Sequence, residues 1–210
     1  AQANLASAQA AVASLNAQRN LTQTGNALAS NFAKLSSGMR INNAGDDAAG
    51  LAISEKMKSQ TRSMSQAERN ANDGISLLQT AEGAMNENSG ILIRMRELAM
   101  QSATGTLGDG ERQHLQTEFT QLTEEIGRIA SVTQFNGQQL LDGTNASFTF
   151  KVGIGTEDSD EISADMQDMT AANYGANATD LTALDISDVA GADTALSALD
   201  TAISDTSEAR

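Results

Sequence analysis

The side chains that could do chemistry are few and poorly placed for it. His114 is the single imidazole and the chain has no cysteine, so no thiolate metal site, disulfide or Cys/His nucleophile can be assembled. His114 falls one residue before Leu115 in a helical pattern and has no second histidine at ligand spacing. The densest carboxylate group is Glu157, Asp158, Asp160 and Glu161. It lacks the alternating ligands and central glycine of a calcium loop, and it reads as a solvated acidic surface. There is no phosphate-cradling glycine loop, no serine elbow, and no carboxylate pair whose surroundings would push their pKa values apart. The expectation is a protein that is not an enzyme, with no catalytic residue, cofactor or metal.

Composition points to the elements that remain. Of 210 residues, 40% are hydrophobic and 3% aromatic, with no Pro or Trp, one Tyr and five Phe. Ala, Leu, Ile and Met carry the apolar content, the palette of long packed helices. The net charge of −14 is uneven: from Asp142 onward there are 14 acids against two bases, Lys151 and Arg210. An acidic chain without clustered Lys and Arg is not a phosphate-backbone binder, so no nucleic-acid partner is expected. No run approaches the roughly 18 apolar residues of a membrane span, and no basic start precedes an apolar stretch. The expectation is a soluble chain that, if it works outside the cell, leaves without a cleaved signal.

Periodicity sets the architecture. Every seventh residue from Met57 reads Met57, Met64, Ala71, Leu78, Met85, Leu92, Ala99, a heptad seam of coiled-coil type. The companion row, Gln60, Ala67, Gly74, Ala81, Asn88, Met95, is mostly small, which lets neighbouring helices approach closely. The stretch predicts a rod of about 60 Å, opened by Asp46 and Asp47 and stopped at Gly105. A third helix, opening at Asp109 and ending before Thr133, steps through Leu115, Phe119, Leu122, Ile126 and Ile129. The short Ser102 to Gly108 connection folds it back antiparallel. Before Gly38 a first helix keeps Leu28, Phe32 and Leu35 in phase, while Val12 and Leu15 belong to a shifted phase, predicting a mobile join near Asn16 to Gly25.

Past the third helix the period becomes two. Asn136-Gly137 is a tight-turn signal, and Phe148, Phe150, Val152 and Ile154 alternate with polar or small residues. Their partner is the Ile162, Ala164, Met166 alternation, across the Gly155 to Asp160 loop. Residues 167–188 show no period and read as loop; Leu196, Leu199 and Ile203 open another helix that stops abruptly at Arg210. The fold class is therefore mainly α, a long antiparallel helical hairpin or bundle with a small β-hairpin. Its expected parts are an N-terminal helix at 1–40, the helical hairpin at 41–140, the β-hairpin and acidic loop at 141–188, and the start of a C-terminal core helix at 189–210.

Several blocks resemble bacterial flagellin. They are Leu35-Ser36-Ser37-Gly38-Met39-Arg40-Ile41-Asn42 with Gly45-Asp46-Asp47-Ala48-Ala49-Gly50-Leu51-Ala52-Ile53; Arg69-Asn70-Ala71-Asn72-Asp73-Gly74-Ile75-Ser76 with Gln79-Thr80-Ala81-Glu82-Gly83; Arg94-Met95-Arg96-Glu97-Leu98-Ala99; and Gln134-Phe135-Asn136-Gly137. They run in the family's order from residue 13 to about 154. The resemblance implies a structural subunit of the flagellar filament, exported through the flagellum's own secretion channel, assembled at the tip beneath a cap, and polymerised with other flagellin subunits into an extracellular helical tube for swimming. Only some 40 residues separate Phe150 from the last helix, which implies a minimal outer domain.

The family's receptor-binding and protofilament-contact positions match here as Arg94, Leu98 and Glu118, implying a ligand of the vertebrate flagellin-sensing Toll-like receptor. Arg94 and Leu98 lie one turn apart and Glu118 is on the returning helix, so the three are expected to form one patch. An exposed Arg94–Glu118 ion pair is the plainer alternative. Two departures stand out. Residues Ala1 to Ala11 depart from the family's usual start, and most of its C-terminal helices are missing, so a marginally stable chain that does not polymerise alone is expected. The helical hairpin of a chemotaxis receptor and the hook–filament junction protein share parts of the pattern. The first should keep heptads to its end, whereas the period switches at Phe148; the second lacks this density of flagellin blocks.

Overall fold

The computed structural model describes residues 2–210, and side chains from Gln9 onward. Ala1, and the side chains of the atypical Ala1-Gln2-Ala3-Asn4 opening, lie outside the described residues. The elements are α1 (Gln2–Ser37), α2 (Ala48–Ser102), α3 (Asp109–Val132), β1 (Gln134–Phe135), β2 (Gln138–Gln139), β3 (Ser147–Lys151), β4 (Glu161–Asp165) and α4 (Val189–Ala209). The chain divides into two units, residues 1–62 and 63–210, with the boundary inside α2.

In the first unit α1 runs unbroken through Asn16 to Gly25. The phase shift there does not interrupt the helix, because Ala, Gln and Leu keep its propensity high on either side. Gly38, at φ +66°, takes the left-handed conformation that ends a helix. The Lys34 ammonium meets Asp46 at 3.0 Å, and Asp46 also accepts from the Asn42 and Asn43 N–H groups. Asp47 caps α2, its Oδ1 accepting from the Gly50 N–H at 2.8 Å. None of residues 9–62 is buried.

The second unit holds the core. Leu92, Met95, Leu98 and Ala99 of α2, Phe119, Ile126 and Ala130 of α3, and Ala192, Ala195, Leu199 and Ala202 of α4 form one buried cluster. The antiparallel return of α3 is visible in its contacts: Arg112 reaches the Ser102 carbonyl, and six residues further on Glu118 reaches Arg94. α4 also runs against α2, with Asp200 on Arg96 and Arg210 3.8 Å from Glu82. Asp188 caps α4 by accepting from the Gly191 N–H at 2.7 Å.

The β-hairpin pairs the expected segments, with Phe148 opposite Ala164 and Phe150 opposite Ile162, while Val152, Ile154 and Met166 fall outside the strands. Asn136 and Gly137, at φ 50° and 80°, make the tight turn between β1 and β2. Residues 167–188 contain neither helix nor named strand, as expected of a loop, yet Met169, Tyr174, Leu181 and Ile186 of this segment are fully buried in the core.

The predicted seam needs correction. Met85, Leu92, Met95 and Ala99 are buried, but Met57, Met64 and Leu78 are exposed and Ala71 is only half-buried. The continuous buried line is the companion row, Ala67, Gly74, Ala81, Asn88 and Met95, extended to Ser102. A straight helix drifts about 20° per heptad, so any strict seven-residue row migrates around it. The companion row crosses the middle of the buried face, and the Met57 row enters that face only at Met85.

Candidate interaction surface

Arg94 projects from α2 at the edge of the core and is shared by two carboxylates. Its Nε and Nη2 donate to Glu118 Oε1 at 3.0 and 2.8 Å, and its Nη1 donates to Glu97 Oε2 at 2.9 Å. The Glu118 contact first, then Glu97, raises the Arg94 pKa above its ordinary value. Both members of the Arg94–Glu118 pair keep nearly half their side-chain surface exposed, so solvent screens the pair and it adds little to stability. It is therefore available to a partner.

Leu98 does not join that patch. It is 1% exposed and belongs to the cluster with Phe119 and Ile126. One turn separates it from Arg94, but that turn carries the helix surface inward beneath α3. The structure thus brings Arg94 and Glu118 together and places Leu98 in the core.

Three further arrangements have little sequence signature. The β-hairpin docks on α2 through one polar and one apolar contact: Asn70 Nδ2 donates to the Lys151 carbonyl at 2.8 Å, and the Phe150 ring lies against Gly74. The Arg112 guanidinium is buried at the α2–α3 connection, where it donates to the carbonyls of Ser102, Thr104 and Leu107. It satisfies the Ser102 carbonyl, which the end of α2 leaves without a helical partner, and ties it to two carbonyls of the connection. At the other end of the core the Tyr174 hydroxyl pairs with Thr206 at 3.0 Å, and Asp205 accepts from Asn177 Nδ2 at 2.6 Å. Among the described residues, no group of three or more His, Asp or Glu side chains is arranged to hold a metal ion.

Comparison with known proteins decides the family. The model of the bacterial flagellin N-terminal helical region matches residues 9–146. The chain belongs to the flagellin family. A flagellin of Halalkalibacterium halodurans is 49% identical over 168 residues, covering 80% of this chain and 62% of that protein. Flagellin D of Vibrio cholerae is 46% identical over 172 residues, 82% of this chain and 45% of the relative. A Clostridium tyrobutyricum flagellin is 51% identical over 158 residues, 75% and 40% of the two chains. The chain thus spans between about two-fifths and three-fifths of the length of these flagellins. The crystal structure of Bacillus cereus flagellin superposes with a TM-score of 0.57 at 33% identity, covering 68% of this chain and 78% of that one. The mainly helical architecture with a small antiparallel strand pair is the flagellin fold.

Proposed function

We propose that this chain is a structural, non-catalytic part of a flagellar filament subunit, polymerising with other flagellins outside the cell. The observation that carries this reading is the first unit. None of residues 9–62 is buried, yet Leu21, Leu28, Phe32 and Leu35 of α1 fall on one helical face and are exposed. Further along α2, Met64, Ile75, Leu78, Ile93 and Met100 make a second exposed apolar stripe, with Ile75 and Ile93 five turns apart. Apolar faces of this extent are stable in water only when association covers them. Heterologous association that does not close generates a filament. Export would use the flagellar secretion channel, and the growing tip would meet the cap.

The reading is tested by a hybrid in which residues 9–146 replace the matching part of the Halalkalibacterium halodurans flagellin, expressed in a strain of that organism lacking its own. Filaments and swimming are the expected result. A hybrid that is secreted but stays unpolymerised contradicts it.

A second reading rests on the Arg94–Glu118 pair. We infer that this exposed, charge-assisted pair contributes to binding by the vertebrate flagellin-sensing Toll-like receptor, with Leu98 holding it in place from below. Arginine in such a position is a frequent interface anchor. Arg94→Ala should weaken receptor binding without loss of helicity, and unchanged binding would reduce the pair to a surface ion pair.

A further inference from the structure

The strongly acidic chain contains one region of opposite sign. Residues 1–62 carry six bases and three acids, whereas residues 142–210 carry 14 acids and two bases. Half of these six bases share one site. Arg40, Lys58 and Arg62 line an open groove in the first unit together with Ile41, Ile53 and Met57. Ile53 and Met57 are each about three-fifths exposed. The Arg40 side chain is 84% exposed and meets Asp47 only at 4.0 Å. Lys58 is paired with Glu55 at 2.8 Å, so Arg40 and Arg62 are the cations that the groove presents around its apolar floor.

The end of the β3–β4 hairpin has the complementary make-up. Glu157, Asp158, Asp160 and Glu161 crowd its connection, and the hairpin's one base, Lys151, is engaged by Glu161 at 3.1 Å. Ile154 and Ile162 flank this acidic end and are both substantially exposed. The loop is held in shape: the Val152 and Gly153 N–H groups donate to the Asp160 carbonyl at 2.9 and 2.8 Å. The Asp160 carboxylate fills the space that side chains at Gly153 and Gly155 would need. A preorganised acidic tip with two isoleucines thus matches a cationic groove floored by two isoleucines and a methionine in charge and in apolar content.

We propose that the Arg40–Arg62 groove of one copy receives the acidic hairpin tip of a second copy. The pairing deepens the filament reading and rests on it, because it supplies a directional head-to-tail contact whose two surfaces lie on different parts of the chain. Such a contact is heterologous and leaves one groove and one tip free at the ends of every chain of copies. The charges steer and orient the encounter, and the aliphatic side chains exclude water from it.

The absence of native cysteine makes the test direct. One chain carries Met57→Cys and a second, differently tagged, carries Ile154→Cys; the two are mixed under mild oxidation. Mixed disulfide dimers should form faster than either homodimer. Adding Lys58→Glu and Arg62→Glu to the first chain should slow their formation about tenfold, and adding Glu157→Lys and Asp158→Lys to the second should restore it. About 1 M salt, where the screening length is about 3 Å, should slow the reaction of the chains with native charges, a readout that needs no folded charge variant. Mixed dimers no faster than homodimers, or a rate indifferent to salt and charge reversal, overturns the pairing. If hybrid filaments form while cross-linking fails, the filament reading stands and this contact falls; cross-linking without filaments has the reverse meaning.

Discussion

The Phe150 ring occupies the space that a side chain at Gly74 would fill: a Cβ there would lie 3.1 Å from the ring. Gly74 sits in mid-helix on the buried face of α2 and Phe150 on β3, so one missing side chain lets the β-hairpin lie against the helix.

That relationship separates the glycines of α2 by consequence. A methyl group added at Gly83 or Gly90 would meet nothing within 4 Å, whereas at Gly74 it would meet an aromatic ring. Alanine at Gly83 or Gly90 should stabilise the chain by about 0.5–1 kcal/mol through helix propensity. At Gly74 that gain is offset by the shift forced on Phe150, and Gly74→Leu should cost about 1–3 kcal/mol through overpacking. Urea denaturation of the four variants checks the order.

Arg112 should be intolerant of change. Its guanidinium serves three carbonyls at the α2–α3 connection, and removing it takes the side-chain donor from the carbonyl of the buried Ser102. Arg112→Met should destabilise by about 3 kcal/mol, and Arg112→Lys should recover only part, since an ammonium lacks the planar fork that spans separate acceptors. Thermal unfolding followed by circular dichroism reads the difference.

Arg94 and Leu98 should behave oppositely. Arg94→Ala removes an exposed, solvent-screened pair and should leave stability nearly unchanged, its effect appearing in partner binding. Leu98→Ala opens a cavity in the core and should cost about 2–5 kcal/mol. Measuring unfolding and receptor affinity on both variants tells surface from support.

Acid should act in two stages. Asp46 is held below its ordinary pKa of 3.8 by Lys34, Asp180 by Thr182, and Asp200 by Arg96. Burial pushes Asp168 up, but hydrogen bonds from Asn173 and Thr170 outweigh it and hold this carboxyl low as well. A carboxylate with a depressed folded pKa contributes stability that is complete above its unfolded pKa and disappears as pH falls through the folded value. Acidification also relieves the net charge of −14. The thermal midpoint should hold or rise from pH 7 to about 5, then fall below about pH 4. A midpoint that declines steadily from pH 7 would contradict this.

The long elements are legible because each has a local cause: heptads for α2, Asp47 at its start, the step of three and four through α3, Asn136-Gly137 for the turn, and alternation for β3 and β4. What the sequence did not reveal lies in non-local packing. The Met57 row and its companion are equally periodic, and only the hairpin and the other helices decide which one is covered. Helical spacing puts Leu98 one turn from Arg94 but does not fix on which side of the boundary between surface and core it falls. That boundary depends on where α3 crosses. Met169, Tyr174, Leu181 and Ile186 come from a segment with no period at all, because irregular backbone can fill a core without repeating. Arg112 had no signal beyond its position shortly after a helix end.

The central claim is that the apolar faces exposed on α1 and α2 are covered by other subunits. The most direct measurement is the maleimide reactivity of single cysteines at Phe32, Met64 and Leu78, taken on the free 210-residue chain and on filaments of the hybrid flagellin. The account predicts rapid labelling of all three in the free chain and strong protection in the filament. Equal labelling in both would show that assembly leaves these faces in water.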